Sequence, residues 1–265
     1  MEQDLSLATT HLSRIASAPA NLSSEDMLDR KCATINSDGR LRVAYAPFDH
    51  ISLKARLVIV GITPGRTQAV NAIKAARLGL ARGCSQPQAL AAAKLTGSFS
   101  GPLRANLIAM LDAIGVAGYL GLQSTEEVFS PSSADVHFTS ALRYPVFVDG
   151  KNYNGAPNMF RTPLLREMVD THLAEEARIL RHALWLPLGP RPDAALQHLA
   201  SRGVLNQKQI LSGLPHPSGA NAERVAVFLG RKAPEKASRQ TKPIQLLEAF
   251  ERLSMQISDL QGGKA

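Results

Sequence analysis

Aromatic side chains are scarce in this chain. Eight phenylalanines, four tyrosines and one tryptophan make up 5% of its 265 residues, which excludes an extended platform on which successive bases would stack. Cysteine is scarcer still. Cys32 and Cys84 are the only two and have no Cys-x-x-Cys spacing, so the chain alone builds neither a disulfide framework nor a four-thiolate iron–sulfur cluster. Both read as plain thiols. No apolar run approaches the roughly 20 residues needed to span a bilayer. The first twenty residues lack the basic-then-hydrophobic order of a secretory signal, so a cytoplasmic location is expected. Also missing are a Gly-x-x-x-x-Gly-Lys-Ser/Thr phosphate loop, a Gly-x-Gly-x-x-Gly fingerprint and a Gly-x-Ser-x-Gly elbow. His137, His172, His182 and His198 are scattered over strand-like and helix-like segments, so no metal and no nucleotide cofactor is implied.

Hydrophobic residues make up 45% of the chain, the composition of a globular protein with a sizeable core. The length suits one domain, residues 41–265, with an N-terminal helical extension over residues 1–40. The net charge is +8 and the sequence pI near 9.8. That balance favours a polyanionic partner, because lysine and arginine release counterions when they meet phosphates. Nucleic acid is the expected partner; a membrane is not.

Two stretches organise the rest. Leu57 to Gly65, LVIVGITPG, is a β-branched run that stops abruptly in a glycine-proline turn, as a buried strand does where it exposes backbone N–H groups at its carboxyl end. Ligands bind at such ends in open α/β sheets. Leu211 to Asn221, LSGLPHPSGAN, again runs from apolar residues into a proline-rich turn, now carrying His216 and Ser218.

Between and around them, strand and helix patterns alternate. Ser23 and Ser24 before Glu25 and Asp26 signal a helix start, Asn36 to Gly39 a turn, and Leu41 to Tyr45 an edge strand. Gln68 to Leu80 has helical composition, and Ala89 to Leu95 restarts it after a break. Leu107, Met110, Leu111 and Ile114 fall at helical spacing, with Gly115 as a stop. Val136 to Leu142, Ala183 to Leu188 and Gln209 to Leu214 read as further strands. Pro163 to His182, Asp193 to Arg202 and Pro243 to Ile257 read as helices, with Asp193 near a cap. The alternation predicts an α/β fold: a three-layer α/β/α sandwich with a mostly parallel sheet of about four strands.

Taken together, GITPG and HPSGAN resemble the two signature motifs of the uracil-DNA glycosylase superfamily. A third stretch agrees: GSFSGPLRANLIAMLDAIGV, from Gly97 to Val116, is similar to the superfamily's phenylalanine loop and the helix after it. The resemblance covers roughly Leu41 to Phe250 through short motifs, and with two cysteines the chain would belong to a cluster-free branch. It implies a monofunctional glycosylase that takes a base out of the DNA stack and hydrolyses its N-glycosidic bond. On the matching positions, Phe99 would stack on the extruded base, while Gly61, Ile62 and Ser140 would line it. Ser140 stands where relatives place an asparagine. His216 would stabilise the departing base, as an oxyanion-hole donor does. Pro64, Gly65, Ser218, Gly219, Asn221 and Arg224 would meet the DNA.

The first motif departs from the pattern. Several branches carry Asp, Asn or Glu where this chain has Ile62 and Thr63, so Thr63 would hold the attacking water, with Gln68 or Asp135 as candidate substitutes. Ala220 and Asn221 stand where many relatives carry a leucine wedge, which favours single-stranded DNA. Uracil or a related deaminated base is the expected substrate. A catalytically silent relative that binds nucleic acid or a base is the alternative, and an unrelated α/β enzyme for a small phosphorylated substrate a third.

Overall fold

The structure, a computed structural model, describes residues 5–101 and 103–262. Residues 1–4 of the expected N-terminal extension and Pro102 of the phenylalanine stretch lie outside them. In chain order the elements are α1 (Ser6–Ala16), α2 (Ser24–Asp29), β1 (Thr34–Asp38), β2 (Leu41–Ala44), β3 (Leu57–Gly61), α3 (Arg66–Ala81), α4 (Gln86–Gly97), α5 (Leu103–Ala113) and α6 (Val116–Leu120). They continue as β4 (Val136–Ser140), β5 (Val146–Val148), β6 (Lys151–Asn152), α7 (Pro163–Met168), α8 (Ala174–Ile179), β7 (Leu184–Pro187), α9 (Pro190–Ser201), α10 (Ala222–Phe228) and α11 (Pro243–Gly262).

The architecture is mixed α/β with two sheets. The parallel sheet has three strands in the order β4-β3-β7. Its central strand β3 is buried at all five residues, as a β-branched run covered on both faces should be. Leu57–Val60 pairs in parallel with Leu184–Pro187. The expected strand Gln209–Leu214 is reduced to a single parallel bridge between Trp185 and Ile210, with the Leu211 N–H donating to the Trp185 carbonyl at 2.8 Å. Gln207–Gln209 forms a 3-10 turn there, with Asn206 capping it through a bond from the Lys208 N–H, and this takes Gln209 out of the expected strand.

The second sheet is antiparallel, in the order β1-β2-β5-β6. Leu41–Ala44, expected at an edge, lies inside it between β1 and β5. The turn signal at Asn36 to Gly39 falls partly within β1, and the hairpin reverses at Gly39, whose φ of +55° suits a residue without Cβ.

Two compact units result. One is built from Met1–Leu53, Gly61–Ser100 and Phe138–Arg181, the other from Lys54–Val60, Gly101–His137 and His182–Ala265. In the first, Val43, Tyr45, Phe48, Phe147 and Leu165 are buried, and α3 and α4 pack so closely at Gly97 that a Cβ there would lie 2.9 Å from the Gln68 carbonyl oxygen and 3.0 Å from Ala72 Cβ. Ser23 caps α2 by accepting from the Asp26 N–H, as its position before Glu25 and Asp26 predicts. The expected helix Pro163–His182 is α7 and α8 joined by a π-helical turn, Val169–Leu173, and ends at Ile179. In the second unit the core holds Leu57, Ile59, Leu107, Met110, Trp185, Leu186, Phe228 and Leu253. Each such side chain contributes roughly 1.5–3 kcal/mol by leaving water. Among the described residues no helix is long and apolar enough to cross a membrane.

Candidate functional site

In the first unit, three residues from distant parts of the chain meet at the end of β3. A Cβ added to Gly61 would stand 3.3 Å from Phe99 Cε1 and 3.4 Å from Ser140 Oγ. The Phe99 ring is 6% exposed and packs edge-on to Phe138, with centroids 5.7 Å apart. Its backbone is left-handed, φ +48°, a conformation that costs a non-glycine residue about 1–3 kcal/mol and persists where the surroundings hold it. Ser140 is half-buried, and its hydroxyl has no hydrogen-bond partner among the described residues. It can therefore both donate to and accept from a planar polar group. Gly97 owes its identity to the α3–α4 contact, and Gly101 to a φ of +88°.

The turn after β3 is tied down by its own side chains. Thr63 Oγ1 donates to the Tyr144 carbonyl at 3.0 Å and accepts from the Val146 N–H at 3.2 Å. One lone pair is left, enough to accept a water proton and too little to polarise that water as a carboxylate would. Ile62 is half-buried and Pro64 buried. The Gly65 N–H donates to Gln68 Oε1 at 2.8 Å, so the Gln68 amide oxygen is engaged in closing the start of α3. The Arg66 N–H donates to Asn152 Oδ1 at 3.0 Å. Asp135, the other candidate for the missing acid, lies elsewhere: its backbone carbonyl takes the N–H groups of Arg56 and Leu57 and its carboxylate sits 3.9 Å from Arg56, all at the amino end of β3, whereas Gly61 ends that strand.

A buried polar network in the same unit was not visible in the sequence as a site. Asp49, 2% exposed, accepts from the Tyr144 hydroxyl at 2.5 Å and from the Tyr45 hydroxyl at 2.9 Å. Burial raises its pKa, against the pull of those hydroxyls, Arg143 and Lys94. Arg143 Nε donates to Glu176 Oε1 at 3.0 Å and Nη2 to Glu175 Oε2 at 3.0 Å. Lys94 donates to the His50 carbonyl at 2.7 Å and lies 3.8 Å from Glu176 Oε1. Burial pushes its ammonium down to about 8. Tyr144 joins this network to the first motif, its hydroxyl on Asp49 and its carbonyl on Thr63. The Arg143-Tyr144 pair just after β4 is the signal in the sequence that points to it.

In the second unit, His216 stands beside the start of α9. A Cβ on Gly189, whose φ is +91°, would come 3.4 Å from His216 Cβ. The expected cap Asp193 lies inside the first turn of α9, where its carboxylate accepts from Ser212 at 2.7 Å and Gln197 at 3.2 Å; Gly189 occupies the cap position. The Ser218 N–H donates to His216 Nδ1 at 3.2 Å. That bond makes Nδ1 an acceptor, so in the neutral ring the proton sits on Nε2. Burial lowers the His216 pKa below its ordinary value, which keeps the ring neutral near pH 7. Nε2–H is thus a neutral donor with no partner among the described residues. The Asn106 amide donates to the Pro217 carbonyl at 2.9 Å and steadies the loop.

Ser218, Asn221 and Arg224 form a chain: Asn221 donates to Ser218 Oγ at 3.1 Å, and Arg224 to Asn221 Oδ1 at 2.7 Å. Gly219 has ordinary φ, and a Cβ there would meet nothing within 4 Å. Beyond it, Glu223 gathers Lys232 at 2.6 Å, the Ser238 hydroxyl at 2.5 Å and the Thr241 hydroxyl, and the Lys232, Ser238 and Thr241 bonds hold its carboxyl down at about 2. Arg231, Lys236, Arg239 and Lys242 of the basic run remain exposed. Among the described residues no group of three or more His, Cys, Asp or Glu side chains could hold a metal ion.

The first-motif residues and Phe99 and Ser140 therefore assemble in one unit, and the His216 loop with Ser218, Asn221 and Arg224 in the other. No protein-family model matches this chain, and no solved structure matches it. Among curated proteins it is similar to a Bacillus subtilis (strain 168) protein, 34% identical over 235 residues, which cover 88% of this chain and 91% of that protein. That relative is named Uncharacterized protein YoxB, and the chain belongs to the YoxB family.

Proposed function

We propose that the chain is a monofunctional DNA glycosylase that hydrolyses the N-glycosidic bond of uracil or a related deaminated base, a base-excision repair activity carried out in the cytoplasm without a cofactor. What carries the proposal is the convergence of Gly61, Phe99 and Ser140, named from motif resemblance alone, at one strand end, where a Cβ on Gly61 would stand 3.3 Å from Phe99 Cε1 and 3.4 Å from Ser140 Oγ. The finer fold reading, a three-layer α/β/α sandwich over residues 41–265 with the Ile210 bridge as remnant of a fourth strand, belongs to the same proposal.

In this scheme the extruded base stacks on Phe99, and the Ser140 hydroxyl and the backbone at Gly61 and Ile62 read its edge. Bond cleavage leaves negative charge on the base. His216, neutral with its proton on Nε2, donates to that charge without itself needing to be protonated, and a donor of this kind contributes roughly 10²–10³ in rate. Thr63 accepts a hydrogen bond from the attacking water, whose oxygen bonds to the sugar carbon as the bond to the base breaks and whose proton ends on the departed base by way of solvent. Ser218, Gly219, Asn221 and Arg224, with Pro64 and Gly65, meet the DNA backbone, single-stranded DNA being preferred because Ala220 and Asn221 make a poor wedge.

A second reading, a silent binder of nucleic acid or a base, is favoured by one observation: the hydroxyl proton of Thr63 is spent on the Tyr144 carbonyl, and Ile62 offers no polar group. Base release from labelled single- and double-stranded oligonucleotides containing uracil, hypoxanthine or xanthine, followed by alkaline scission, separates the two. Product that disappears in His216→Ala supports the glycosylase. DNA binding without product at high enzyme excess selects the silent binder.

A further inference from the structure

Arg66 follows the first motif directly, and its guanidinium shares a ring with another. Arg42 and Arg66 lie 4.9 and 5.0 Å from the centroid of the Phe147 ring. Two like charges held this close need an anion. Asp29 supplies it: Oδ1 stands 3.2 Å from Arg42 Nη2 and Oδ2 stands 2.7 Å from Arg66 Nη1, with Glu25 a further 3.9 Å from Arg66. One carboxylate thus spans both arginines, one oxygen to each. The two arginine side chains are only partly exposed, at 25% and 29%, while the Asp29 side chain is 48% exposed.

We propose that the Arg42–Arg66 pair is a phosphodiester site beside the first-motif loop, occupied in the free protein by the carboxylate of Asp29 acting as a stand-in for the nucleic-acid backbone. This rests on the DNA-binding part of the function proposed above. The chemistry matches: a phosphodiester carries the same single negative charge as a carboxylate and presents two unesterified oxygens that can take one arginine each. Displacement needs only a rotation of the Asp29 side chain. Helix α2 itself stays anchored, because Leu28 is fully buried, Arg42 Nη1 also donates to the Leu28 carbonyl at 3.1 Å, and Arg77 grips the carbonyls of Ala18, Pro19 and Leu22 at 2.6–3.1 Å.

The test is binding of a labelled single-stranded oligonucleotide to the full chain across a salt series, with Asp29→Asn, and Asp29→Asn combined with Arg42→Gln or Arg66→Gln. Asp29→Asn keeps the side chain's size, and thermal unfolding of each variant checks its fold. Removing the stand-in is expected to tighten binding about three- to tenfold at low salt and to steepen the slope of log Kobs against log salt by about 0.7 for each phosphate gained. Either arginine substitution should cancel the gain. Inorganic phosphate at the same total phosphate concentration as the oligonucleotide, added at constant ionic strength, should leave the gain in place, because the bound strand holds its own phosphates at a higher local concentration; abolition of the gain at that matched concentration would assign the site to the free anion and overturn the backbone assignment. Oligonucleotide binding by the native chain that Asp29→Asn leaves unchanged overturns the site and leaves the glycosylase proposal standing. Binding by neither overturns both. A gain in affinity with no base release keeps the site and selects the silent binder.

Discussion

The Phe99 ring lies so close to Gly61 that a methyl group on residue 61 would sit 3.3 Å from Cε1, nearer than carbon atoms rest in ordinary contact. Gly61 is glycine because a ring occupies the space beside it, not because the backbone demands it, since its φ is not in the left-handed region. Gly61→Ala should push the ring and the Ser140 hydroxyl apart by a few tenths of an ångström. Stability is expected to fall by about 1 kcal/mol, the usual cost of mild overpacking. Base release should fall much further, about 10-fold or more, because misplacement near reacting atoms is expensive. Equal base release by the variant and the native chain would remove Gly61 and Phe99 from the base site.

Gly219 poses the opposite case, for nothing in the protein requires glycine there. Gly219→Ala should leave unfolding within about 0.5 kcal/mol of the native value. If DNA backbone approaches this turn, the same methyl group should weaken oligonucleotide binding severalfold. An alanine variant with native stability and native affinity would place the DNA elsewhere.

The lowered pKa of His216 sets the acid side of the activity profile. The proposed donor is the neutral ring, which persists above the lowered pKa and is lost as pH falls through it. Base release should therefore hold steady down through pH 6.5 and decline only below it. His216→Ala should lose roughly 10²–10³ in kcat and the acidic limb with it. A profile that instead rises as pH falls from neutrality would mean that the charged ring is the active form.

Asp49 should matter to the stability of the first unit. Asp49→Asn keeps the shape but places an amide N–H₂ against a tyrosine hydroxyl and leaves Arg143 and Lys94 short of one countercharge. Breaking one partner out of a buried charged network costs about 3–5 kcal/mol. Chemical denaturation of the variant, with Tyr144→Phe alongside, measures this. A loss under about 1 kcal/mol would mean that Asp49 is protonated in the native chain.

Acid should destabilise the fold through histidine before it reaches the carboxylates. Burial lowers His11, His50 and His172 to about 4. Between pH 6.5 and 4 the unfolded chain takes up protons at these rings and the folded chain does not, so stability falls as pH falls, by at most about 1.4 kcal/mol per pH unit for each ring. Glu223 acts later, its contribution being present above its unfolded pKa and lost as pH falls towards 2. Urea midpoints that do not move between pH 6.5 and 4.5 would contradict the histidine account.

Much of the local structure was legible in the residues. The β-branched run Leu57–Gly61, the Ser23 cap and the helical spacing after Gly65 are written in neighbouring positions, because strand burial, capping and amphipathicity depend on residues a few places apart. The motif resemblance also assigned Gly61, Phe99 and Ser140 to one base, and the structure brings the three together. The antiparallel sheet was not legible: β2 pairs with β5 a hundred residues later, through strands too short to show alternation. Nor was the Asp49 network, since an isolated aspartate after an apolar pair looks the same whether it faces water or two tyrosine hydroxyls.

By itself the sequence determined that Leu57–Gly61 would be a buried strand, that helices would follow Gly65 and precede Gly115, and that the chain would carry excess positive charge. Only the tertiary structure decided that Thr63 spends its proton on Tyr144, that the Ser218 N–H puts the His216 proton on Nε2, and that Asp29 lies between Arg42 and Arg66. The reason is physical. Local preference is set by a residue's near neighbours along the chain, whereas a hydrogen bond or an ion pair depends on which groups the packed core leaves facing one another.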